Sequence, residues 1–358
     1  MAVADRYLEP LEHEELVVRR GRRSGLYTIV AVHSTVRGPS LGGCRMWGYG
    51  DARAAVRDAL RLSRAMTFKS AVAGLPLGGG KGVIMLPAGH APPAGDDRRD
   101  VLLDFGDTVG SLGGAYVTAE DVGTSDRDMV VIAEATDHVA GLAVETGSSG
   151  DPSPWTALGV QCAMEVACER AFGSASLEGR SVAVVGLGRV GGKLARLLAE
   201  EGATLVAADV DEGKRALADE LGARWTDPDS ALTADVDVLA PCALGGVLDD
   251  DTVPELKCRV IAGAANNQLA ADAIAVQLAD RGIVWAPDFV ANAGGIINIA
   301  VEFEDAGYDA ARAEERVRGV SDTTRAVFDH AEATGATTLA AAMEIARRRL
   351  AEAGAAAA

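Results

Sequence analysis

The sequence of 358 residues predicts an α/β protein of two domains, the second of them built on a doubly wound parallel sheet. The length is the first indication, because a domain averages about 150 residues. A second is the segment 147–154, dense in glycine and proline, which separates two series of elements. The third is that short apolar runs alternate with helical segments from residue 181 onwards, as in a parallel sheet.

Composition and charge exclude several classes of function. Hydrophobic residues make up 48% and charged residues 24%, which is ordinary for a globular protein. The net charge of −18 argues against nucleic-acid binding, which needs a basic face. The first ten residues carry charge where a signal peptide would be apolar, and no uncharged run could span a membrane. The five cysteines form no Cys-x-x-Cys motif and no histidine pair has ligand spacing, so we expect no metal and a reduced, cytoplasmic protein.

The first half of the chain alternates strands, turns and helices. Asp51 is a candidate N-cap for a helix that runs to about Met66. The stretch that begins with Leu41, Gly42 and Gly43 is predicted to be a glycine-bearing turn. Composition and periodicity predict the remaining elements: strands at 26–33 and 115–118, a surface loop at 87–99, and helices at about 100–112 and 126–140.

A lysine behind three glycines is the first candidate for chemistry. Glycines 78–80 allow conformations that a Cβ would forbid and let a ligand approach closely. If water is excluded there, burial and a second ammonium at Lys69 would disfavour the charged form of Lys81 and prepare it as a general base. The alternative is a glycine turn with a surface lysine. Asp121, after a predicted strand, is open between turn former and functional acid.

The second half of the chain opens with a dinucleotide-binding pattern. A strand at 181–185 leads into a glycine turn, a helix and a second strand at 204–208. The turn itself consists of Gly186, Leu187, Gly188, Arg189, Val190 and Gly191. Gly186 makes the tight turn, Gly188 admits the pyrophosphate to the helix N-terminus, and Gly191 allows close helix packing.

The residues after the second strand distinguish between the two nicotinamide cofactors. Asp209 lies 21 residues after Gly188, where a carboxylate accepts a hydrogen bond from the ribose 2′-hydroxyl and repels a 2′-phosphate. Because Val210 and Asp211 follow, with no arginine, the sequence favours NAD over NADP.

Strand–helix alternation then continues to the end of the chain. The predicted elements are strands at 236–240, 260–262 and 283–286, with helices at 155–172, 270–280, 310–330 and 338–353. Segments 241–244, 263–267 and 292–296 follow strands and are therefore expected to face the cofactor.

Six motifs together resemble the glutamate/leucine/phenylalanine/valine dehydrogenase family over residues 41 to 303. They are Leu-Gly-Gly with Arg-Met-Trp at 41–47, Pro-Leu-Gly-Gly-Gly-Lys-Gly at 76–82, Thr-Ala-Glu-Asp-Val-Gly-Thr at 118–124, Gly-Asp-Pro-Ser-Pro-Trp-Thr-Ala at 150–157, Pro-Cys-Ala-Leu-Gly at 241–245 and Asn-Ala-Gly-Gly-Ile-Ile-Asn at 292–298. The chain is similar to the shorter leucine/valine branch rather than to the longer glutamate enzymes.

The resemblance implies the reaction and the roles of residues. An L-amino acid, NAD⁺ and water would give a 2-oxo acid, ammonia and NADH. Lys69, with the Gly42–Gly43 backbone, would bind the substrate carboxylate, Lys81 would activate water, and Asp121 would shuttle protons to and from the nitrogen. The cofactor would contact Thr156, Gly186, Gly188, Arg189, Val190, Gly191, Asp209, Cys242, Ala243 and one of Asn266 and Asn267.

The resemblance also implies an aliphatic side-chain pocket. Glutamate-specific members carry lysine and serine where this chain has Leu41 and Ile299, so a glutamate side chain would bury an unpaired charge. The expected substrate-binding residues are Leu41, Gly42, Gly43, Met66, Lys69, Ala119, Ile296 and Ile299. Phenylalanine-preferring members tend to carry glycine at the position of Ala119, so we expect leucine, valine or isoleucine as substrate. From the residues alone, core packing is the favoured interpretation of Leu41, Ile296 and Ile299.

The implied architecture has three parts. Residues 1–145 would form an α/β substrate-binding and oligomerisation domain, residues 146–320 a Rossmann NAD domain across a deep cleft, and residues 321–358 helices that pack back across the domains. A homo-oligomer is expected, without nucleic-acid or membrane partners. The alternatives are phenylalanine dehydrogenase and a non-catalytic NAD-binding regulator, which would be expected to lack Lys69, Lys81 or Asp121.

Overall fold

A computed structural model describes residues 12–357, and these residues form two compact units. The first contains the described residues up to Gly150 and those from Arg348 onwards, and the second is Asp151–Arg347. Residues 146–150 stay with the first unit because Gly150 N–H donates to the Leu142 carbonyl at 3.0 Å. The sequence instead assigned these residues to the second domain and grouped 321–358 together. The N-terminal residues considered for a signal peptide lie outside the described residues.

The first unit is built on a mixed sheet of five strands. They are β1 (Glu15–Arg20), β2 (Tyr27–Ser34), β3 (Ser40–Tyr49), β4 (Gly78–Pro87) and β5 (Tyr116–Glu120). The order is β1-β2-β4-β3-β5, in which β2 is antiparallel to β1 and β4, and β3 is parallel to β4 and β5. The motif-bearing strands β3 and β4 therefore lie side by side inside the sheet.

One prediction and one alternative for this sheet were wrong. Residues 41–47 belong to strand β3 rather than to a turn, and Lys81 with its three glycines belongs to β4 rather than to a glycine turn with a surface lysine. Their glycines serve close approach, since a Cβ added at Gly42 would lie 1.8 Å from the Gly80 carbonyl oxygen. A Cβ at Gly80 would lie 2.5 Å from the Tyr116 ring. Neither glycine has a positive φ, so conformational freedom is not what these positions require.

Helices cover both faces of this sheet. They are α1 (Ala52–Val72), α2 (Gly95–Gly110) and α3 (Asp126–Ala133). Asp51 caps α1 as predicted, accepting from Ala54 N–H at 2.7 Å, but the helix continues beyond Met66 and carries Lys69 in its last turn. Helix α1 packs on the face that contains Ala31 and Val83, and α2 and α3 pack on the other. Helix α3 ends well before the predicted residue 140, because Ala140 N–H donates instead to the Thr118 carbonyl.

The second unit contains the predicted parallel sheet. Its strands are β6 (Ser181–Val185), β7 (Thr204–Ala208), β8 (Arg224–Trp225), β9 (Val238–Pro241), β10 (Val260–Ile261) and β11 (Val284–Trp285). Every pairing is parallel and the order is β11-β10-β9-β6-β7-β8. The chain moves outwards from β6 in one direction and then outwards from β9 in the other. This is the doubly wound order, with its topological switch point between β6 and β9.

The remaining helices lie in the second unit, except that residues 348–357 of the last helix belong to the first unit. They are α4 (Ser153–Phe172), α5 (Gly191–Glu200), α6 (Arg215–Glu220), α7 (Pro228–Leu232), α8 (Thr252–Glu255), α9 (Ile274–Asp280), α10 (Asp288–Ala291), α11 (Gly294–Ala300), α12 (Ala310–Arg318), α13 (Val320–Thr334) and α14 (Thr338–Ala357). The helix predicted at 310–330 is two helices that meet at Gly319, a residue with low helix propensity. Helix α9 begins later than predicted because Ala270 N–H pairs with the Leu248 carbonyl. None of the helices in residues 12–357 is long and apolar enough to cross a membrane.

Candidate active site

The first unit brings Lys81 and Asp121 into direct contact. Lys81 lies on β4 opposite Ala31 of β2, on the face covered by α1, and only 5% of its surface is exposed. Asp121 follows the last residue of β5, two strands away in the sheet. The Lys81 Nζ donates to Asp121 Oδ2. The Asp121 carboxylate thus replaces part of the hydration that the Lys81 ammonium loses on burial. The sequence alone does not predict this ion pair.

The segment after β5 is fixed against β3 by backbone hydrogen bonds. Met46 N–H donates to the Val122 carbonyl at 2.9 Å, and the Thr124 hydroxyl donates to the Cys44 carbonyl at 2.8 Å. The Asp121 N–H donates to the Thr124 hydroxyl oxygen at 3.0 Å. Gly123 has φ of 85°, and a Cβ there would lie 2.0 Å from the Met46 carbonyl oxygen. The motif therefore sets the position of Asp121 through its backbone, and its role as a functional acid stays a prediction.

The charge of Asp121 is stabilised by two cations. Burial alone would raise its pKa, but the positive charges of Lys81 and Arg45, with the hydrogen bond from Lys81, outweigh burial and lower the pKa below its ordinary value. Arg45 Nε lies 3.3 Å from the same Oδ2 atom. Asp121 is therefore a carboxylate at neutral pH and can accept a proton.

Gly42 and Gly43 lie beside this pair. A Cβ added at Gly43 would lie 2.6 Å from the Asp121 Cβ, and one at Gly42 would lie 3.2 Å from the backbone nitrogen of Lys81. The Tyr116 hydroxyl donates to the Gly42 carbonyl at 2.6 Å and fixes that peptide. The two glycines thus lie next to Lys81 and Asp121.

The other expected substrate-binding residues divide between the two units. Met66 and Lys69 lie half-buried on α1, which packs on β4. Leu41 and Ala119 are buried on β3 and β5, neighbouring strands of the first sheet. Ile296 and Ile299 are buried on α11 of the second unit. The roles expected of these six residues remain predictions.

The glycine turn after β6 has the geometry expected of a dinucleotide site. Gly186 has φ of 103°, which an L-residue rarely adopts. A Cβ at Gly191 would lie 1.9 Å from the Gly186 carbonyl oxygen, so the start of α5 packs directly on the turn. At Gly188 there is no atom within 4 Å of a built Cβ, and the site is open. The N-terminus of α5 thus adjoins an open, glycine-lined space suited to a pyrophosphate.

Asp209 closes this turn from the neighbouring strand. It follows β7, and its Oδ2 accepts from the Leu187 N–H at 2.6 Å. Its Oδ1 accepts from the Asp211 N–H at 2.9 Å. Each carboxylate oxygen retains a further lone pair, so the residue can also accept from a ribose hydroxyl.

The remaining expected cofactor residues follow strands β9 and β10 or lie on α4. Cys242 and Ala243 come directly after β9, and a Cβ at Gly186 would lie 2.7 Å from the Ala243 Cβ. Burial raises the pKa of the Cys242 thiol to about 12, so this residue is a neutral wall rather than a nucleophile. Thr156 lies near the start of α4 and donates to the Pro152 carbonyl at 3.0 Å.

The two candidate asparagines differ in their surroundings. The Asn266 Oδ1 accepts from the Asn292 Nδ2 at 2.8 Å, whereas Asn267 has φ of 54°. Asn292 follows α10 rather than a strand. Its side-chain amide also donates to the Ala264 carbonyl at 3.1 Å, so it is hydrogen-bonded to the loop after β10. Both Asn266 and Asn267 are exposed, so both remain candidates for the nicotinamide ribose.

Sequence reasoning missed three charged residues near these motifs. Arg45 belongs to the motif at 41–47 but receives no role from it, although a charged residue inside a strand between two glycine motifs is itself a signal. Asp151 accepts from Arg189 Nη2 at 3.0 Å and from Lys193 Nζ at 3.1 Å, which ties the start of the second unit to its glycine turn. Lys193 lies just inside α5, a position that the motif pattern leaves open.

Comparison with known proteins agrees with these motifs. The family description Glu/Leu/Phe/Val dehydrogenase, dimerisation domain, matches residues 13–138, and Glutamate/Leucine/Phenylalanine/Valine dehydrogenase matches residues 208–357. Leucine dehydrogenase of Bacillus subtilis (strain 168) is 45% identical over 346 residues, 96% of this chain and 93% of that protein. Valine dehydrogenase of Streptomyces virginiae is 44% identical over 352 residues, 95% of this chain and 94% of that protein.

A solved structure extends the agreement to the fold. The crystal structure of L-tryptophan dehydrogenase from Nostoc punctiforme superposes with a TM-score of 0.80 at 38% identity, covering 96% of this chain and 97% of that one. The relatives are similar over nearly the whole length of the chain, and the two family descriptions match residues in both units. The chain therefore belongs to the glutamate/leucine/phenylalanine/valine dehydrogenase family.

Proposed function

We propose that the protein catalyses the reversible, NAD-dependent oxidative deamination of a branched-chain L-amino acid. An amino acid, NAD⁺ and water give the 2-oxo acid, ammonium, NADH and a proton. The observation that carries the proposal is the buried Lys81–Asp121 pair beside Gly42 and Gly43, in a chain whose relatives include leucine and valine dehydrogenases. A regulator without activity would be expected to have lost Lys69, Lys81 or Asp121, and all three are present.

The residues of the first unit supply binding and proton transfer. The Lys69 ammonium and the Gly42–Gly43 backbone hold the substrate carboxylate and so fix the direction of the Cα–H bond. Asp121 takes a proton from the substrate nitrogen, and loss of the Cα hydrogen leaves an imino acid. Lys81, as the free amine, takes a proton from the water that adds to the imino carbon, and Asp121 returns a proton to the departing nitrogen. Because the Lys81 and Asp121 side chains are already in contact, both can act on the substrate with little movement.

The second unit is suited to hold a nicotinamide dinucleotide. The open space at Gly188 and the α5 N-terminus fit a pyrophosphate, and Thr156 with Asn266 or Asn267 would hold the nicotinamide ribose. When bound, the nicotinamide ring would accept the Cα hydrogen as a hydride ion, together with its two electrons. Arg189, Val190, Cys242 and Ala243 would complete the walls of this site.

We propose NAD rather than NADP as the cofactor. Support comes from the Asp209 carboxylate at the end of β7, followed by the exposed Val210 and by Asp211. A 2′-phosphate placed near Asp209 would meet negative charge and no arginine in the next two positions.

The substrate side chain is proposed to be aliphatic because the residues expected around it are aliphatic. Leu41, Ala119, Ile296 and Ile299 offer no cation, and burying the glutamate carboxylate without one costs several kcal/mol. An aromatic amino acid is the second candidate, since the tryptophan dehydrogenase of Nostoc punctiforme is 38% identical. One methyl group decides only about 1–3 kcal/mol between such substrates.

Self-association is part of the proposal. The description that matches residues 13–138 is that of a dimerisation domain, so we propose a homo-oligomer, which light scattering of the purified protein would measure. All five cysteines are free and four are buried, which accords with the reduced cytoplasmic location proposed from the sequence.

The test is turnover of a panel of L-amino acids with NAD⁺ at alkaline pH, followed by NADH absorbance. We expect leucine, valine and isoleucine to react faster than phenylalanine, tryptophan and glutamate. Lys81→Ala is expected to lower kcat by about 10²- to 10⁴-fold, the usual contribution of a general base, while NADH binding is retained. Lys257→Ala, at an exposed lysine of the second unit, is the matched control.

The outcomes separate the competing proposals. Phenylalanine or tryptophan far ahead would overturn the aliphatic pocket and leave the chemistry intact. Equal turnover by the Lys81→Ala and Lys257→Ala variants would refute the role of Lys81. NADH binding without turnover of any amino acid would favour the regulator.

A further inference from the structure

A chain of charged groups runs from Asp121 away from the proposed substrate site. Arg45 on β3 places Nε at 3.3 Å from Asp121 Oδ2 and Nη1 at 3.0 Å from Asp58 Oδ2 on α1. One guanidinium therefore bridges two carboxylates on different elements. The bridge is partly buried, since the exposed fractions of the Arg45 and Asp58 side chains are 23% and 17%.

The far end of the bridge is held firmly. The Tyr49 hydroxyl donates to Asp58 Oδ2 at 2.8 Å, and Arg61 Nη2 donates to Asp58 Oδ1 at 2.9 Å. Burial would raise the pKa of Asp58, but the hydrogen bonds from Tyr49 and Arg61 and the charge of Arg45 lower it below its ordinary value. Asp58 therefore remains charged and fixes the Arg45 side chain by strong hydrogen bonds.

The near end of the bridge meets the catalytic pair at a single atom. Arg45 Nε and Lys81 Nζ both donate to Asp121 Oδ2. Across this shared oxygen the positive charge of Arg45 repels that of Lys81 and offsets part of the attraction between Lys81 and Asp121, so the two cations divide the effect of one carboxylate. Without Arg45, the Asp121 oxygen would lose one of these two cations and keep its contact with Lys81.

We propose that Arg45, anchored by Asp58 and Tyr49, is a positioning residue that holds the Asp121 carboxylate and divides its charge between itself and Lys81. The inference rests on the proposed function, in which Lys81 must be free of its proton to activate water. A salt-bridge network with a purely structural role would not affect the reaction rate, whereas the proposed role of Arg45 requires that it does.

The pH dependence of the reaction should report this division. The groups that surround Asp121 are Lys81 on β4, Arg45, Cys44 and Tyr49 on β3, Tyr116 on β5 and, through Arg45, Asp58 on α1. Burial raises the pKa of Cys44 and of Tyr116 well above their ordinary values, so both stay neutral. Loss of a cation disfavours deprotonation of its neighbours, so removal of Arg45 should move the active range to higher pH.

The experiment compares Arg45→Gln with Arg61→Gln. Both substitutions remove a cation from Asp58, but only Arg45 touches Asp121. We expect Arg45→Gln to lower kcat by up to about 100-fold, with the KM for NAD⁺ unchanged. We also expect the acid limb of its pH–rate profile to move up by about 1 pH unit. Arg61→Gln should resemble the wild type in both.

Two further variants distinguish charge from position. Arg45→Lys keeps the charge but cannot bridge two carboxylates in the same way, so the pH profile should return towards that of the wild type while kcat stays low. Asp58→Asn leaves Arg45 in place without its charged anchor and should lower kcat less than Arg45→Gln. A circular dichroism spectrum and a urea transition like those of the wild type show that the first unit, which contains every substituted residue, is folded in each variant.

A double-mutant cycle tests the contact without relying on activity. The shifts in urea midpoint caused by Arg45→Gln and Asp121→Asn should be non-additive, whereas those of Arg61→Gln and Asp121→Asn should add. Additive shifts for Arg45 and Asp121, or a pH profile of Arg45→Gln equal to that of Arg61→Gln, would overturn the inference. If the wild type turns over no amino acid, the proposed function and the inference fail together, whereas an active wild type with additive shifts overturns the inference alone.

Discussion

Asp209 has two tasks that need different parts of its side chain. Its oxygens accept hydrogen bonds from Leu187 N–H and Asp211 N–H, which hold the glycine turn against the end of β7. Its negative charge is the part that would repel a 2′-phosphate. An amide would keep an acceptor for the turn and lose the charge, whereas a methyl group would lose both.

The cofactor preference therefore separates two substitutions at this residue. Asp209→Asn should reduce the ratio of kcat/KM for NAD⁺ to that for NADP⁺ by about 10-fold or more, because relief of one charge repulsion is worth at least about 1.4 kcal/mol. Asp209→Ala should in addition weaken both cofactors, because Leu187 N–H loses its acceptor. The measurement is steady-state kinetics with each cofactor. An unchanged ratio in Asp209→Asn would show that the charge does not select the cofactor.

At the scale of elements, the glycines of β3 and β4 are required by packing between neighbours. Gly42 faces the Gly80 carbonyl, and Gly79 faces the Thr67 backbone of α1, where a built Cβ would lie 2.0 Å from nitrogen. These contacts are with backbone atoms, which cannot rotate away as a flexible side chain can. They bring the strands and α1 close enough for Lys81 to be buried among them.

Gly42→Ala should consequently destabilise the first unit by at least about 3 kcal/mol, since the added methyl group overlaps a carbonyl oxygen that has no room to move. Gly50→Ala is the matched control, because nothing lies within 4 Å of a Cβ built there. Urea unfolding followed by circular dichroism measures both variants. Similar midpoints for the two would mean that the strands can separate at low cost.

The same elements show what the sequence could predict and what it could not. Strands 181–185 and 204–208 were predicted with their observed bounds, because apolar β-branched runs between glycine turns are a local signal. Strand β3 was missed because Gly42 and Gly43 resemble a turn until their neighbours across the sheet are known. For the site, Lys81 and Asp121 were identified from motifs. Arg45 was not, because its purpose depends on Asp58 and Asp121, which are distant in sequence.

For the whole molecule, net charge and buried histidine have opposite effects as the pH falls. The formal charge of −18 diminishes towards the isoelectric point near 4.7, which relieves self-repulsion in the folded state. His33, on β2, is 8% exposed, and burial together with the nearby His13 and Arg64 lowers its pKa from 6.5 to about 4. In the unfolded chain it therefore binds a proton that the folded chain does not, and stability falls between these two values.

The variant His33→Gln isolates the contribution of the buried histidine to stability, because every other charge is unchanged. Glutamine can still form a hydrogen bond with the Thr67 hydroxyl, which lies 2.9 Å from His33 Nδ1. Between about pH 7.5 and about pH 5.5, the wild type should lose about 1 kcal/mol more unfolding free energy than this variant. His90→Gln, at an exposed histidine, should follow the wild type. The measurement is urea unfolding at both pH values. Parallel losses in all three proteins would mean that His33 takes up its proton without unfolding, and that the acid stability of the molecule depends on its carboxylates alone.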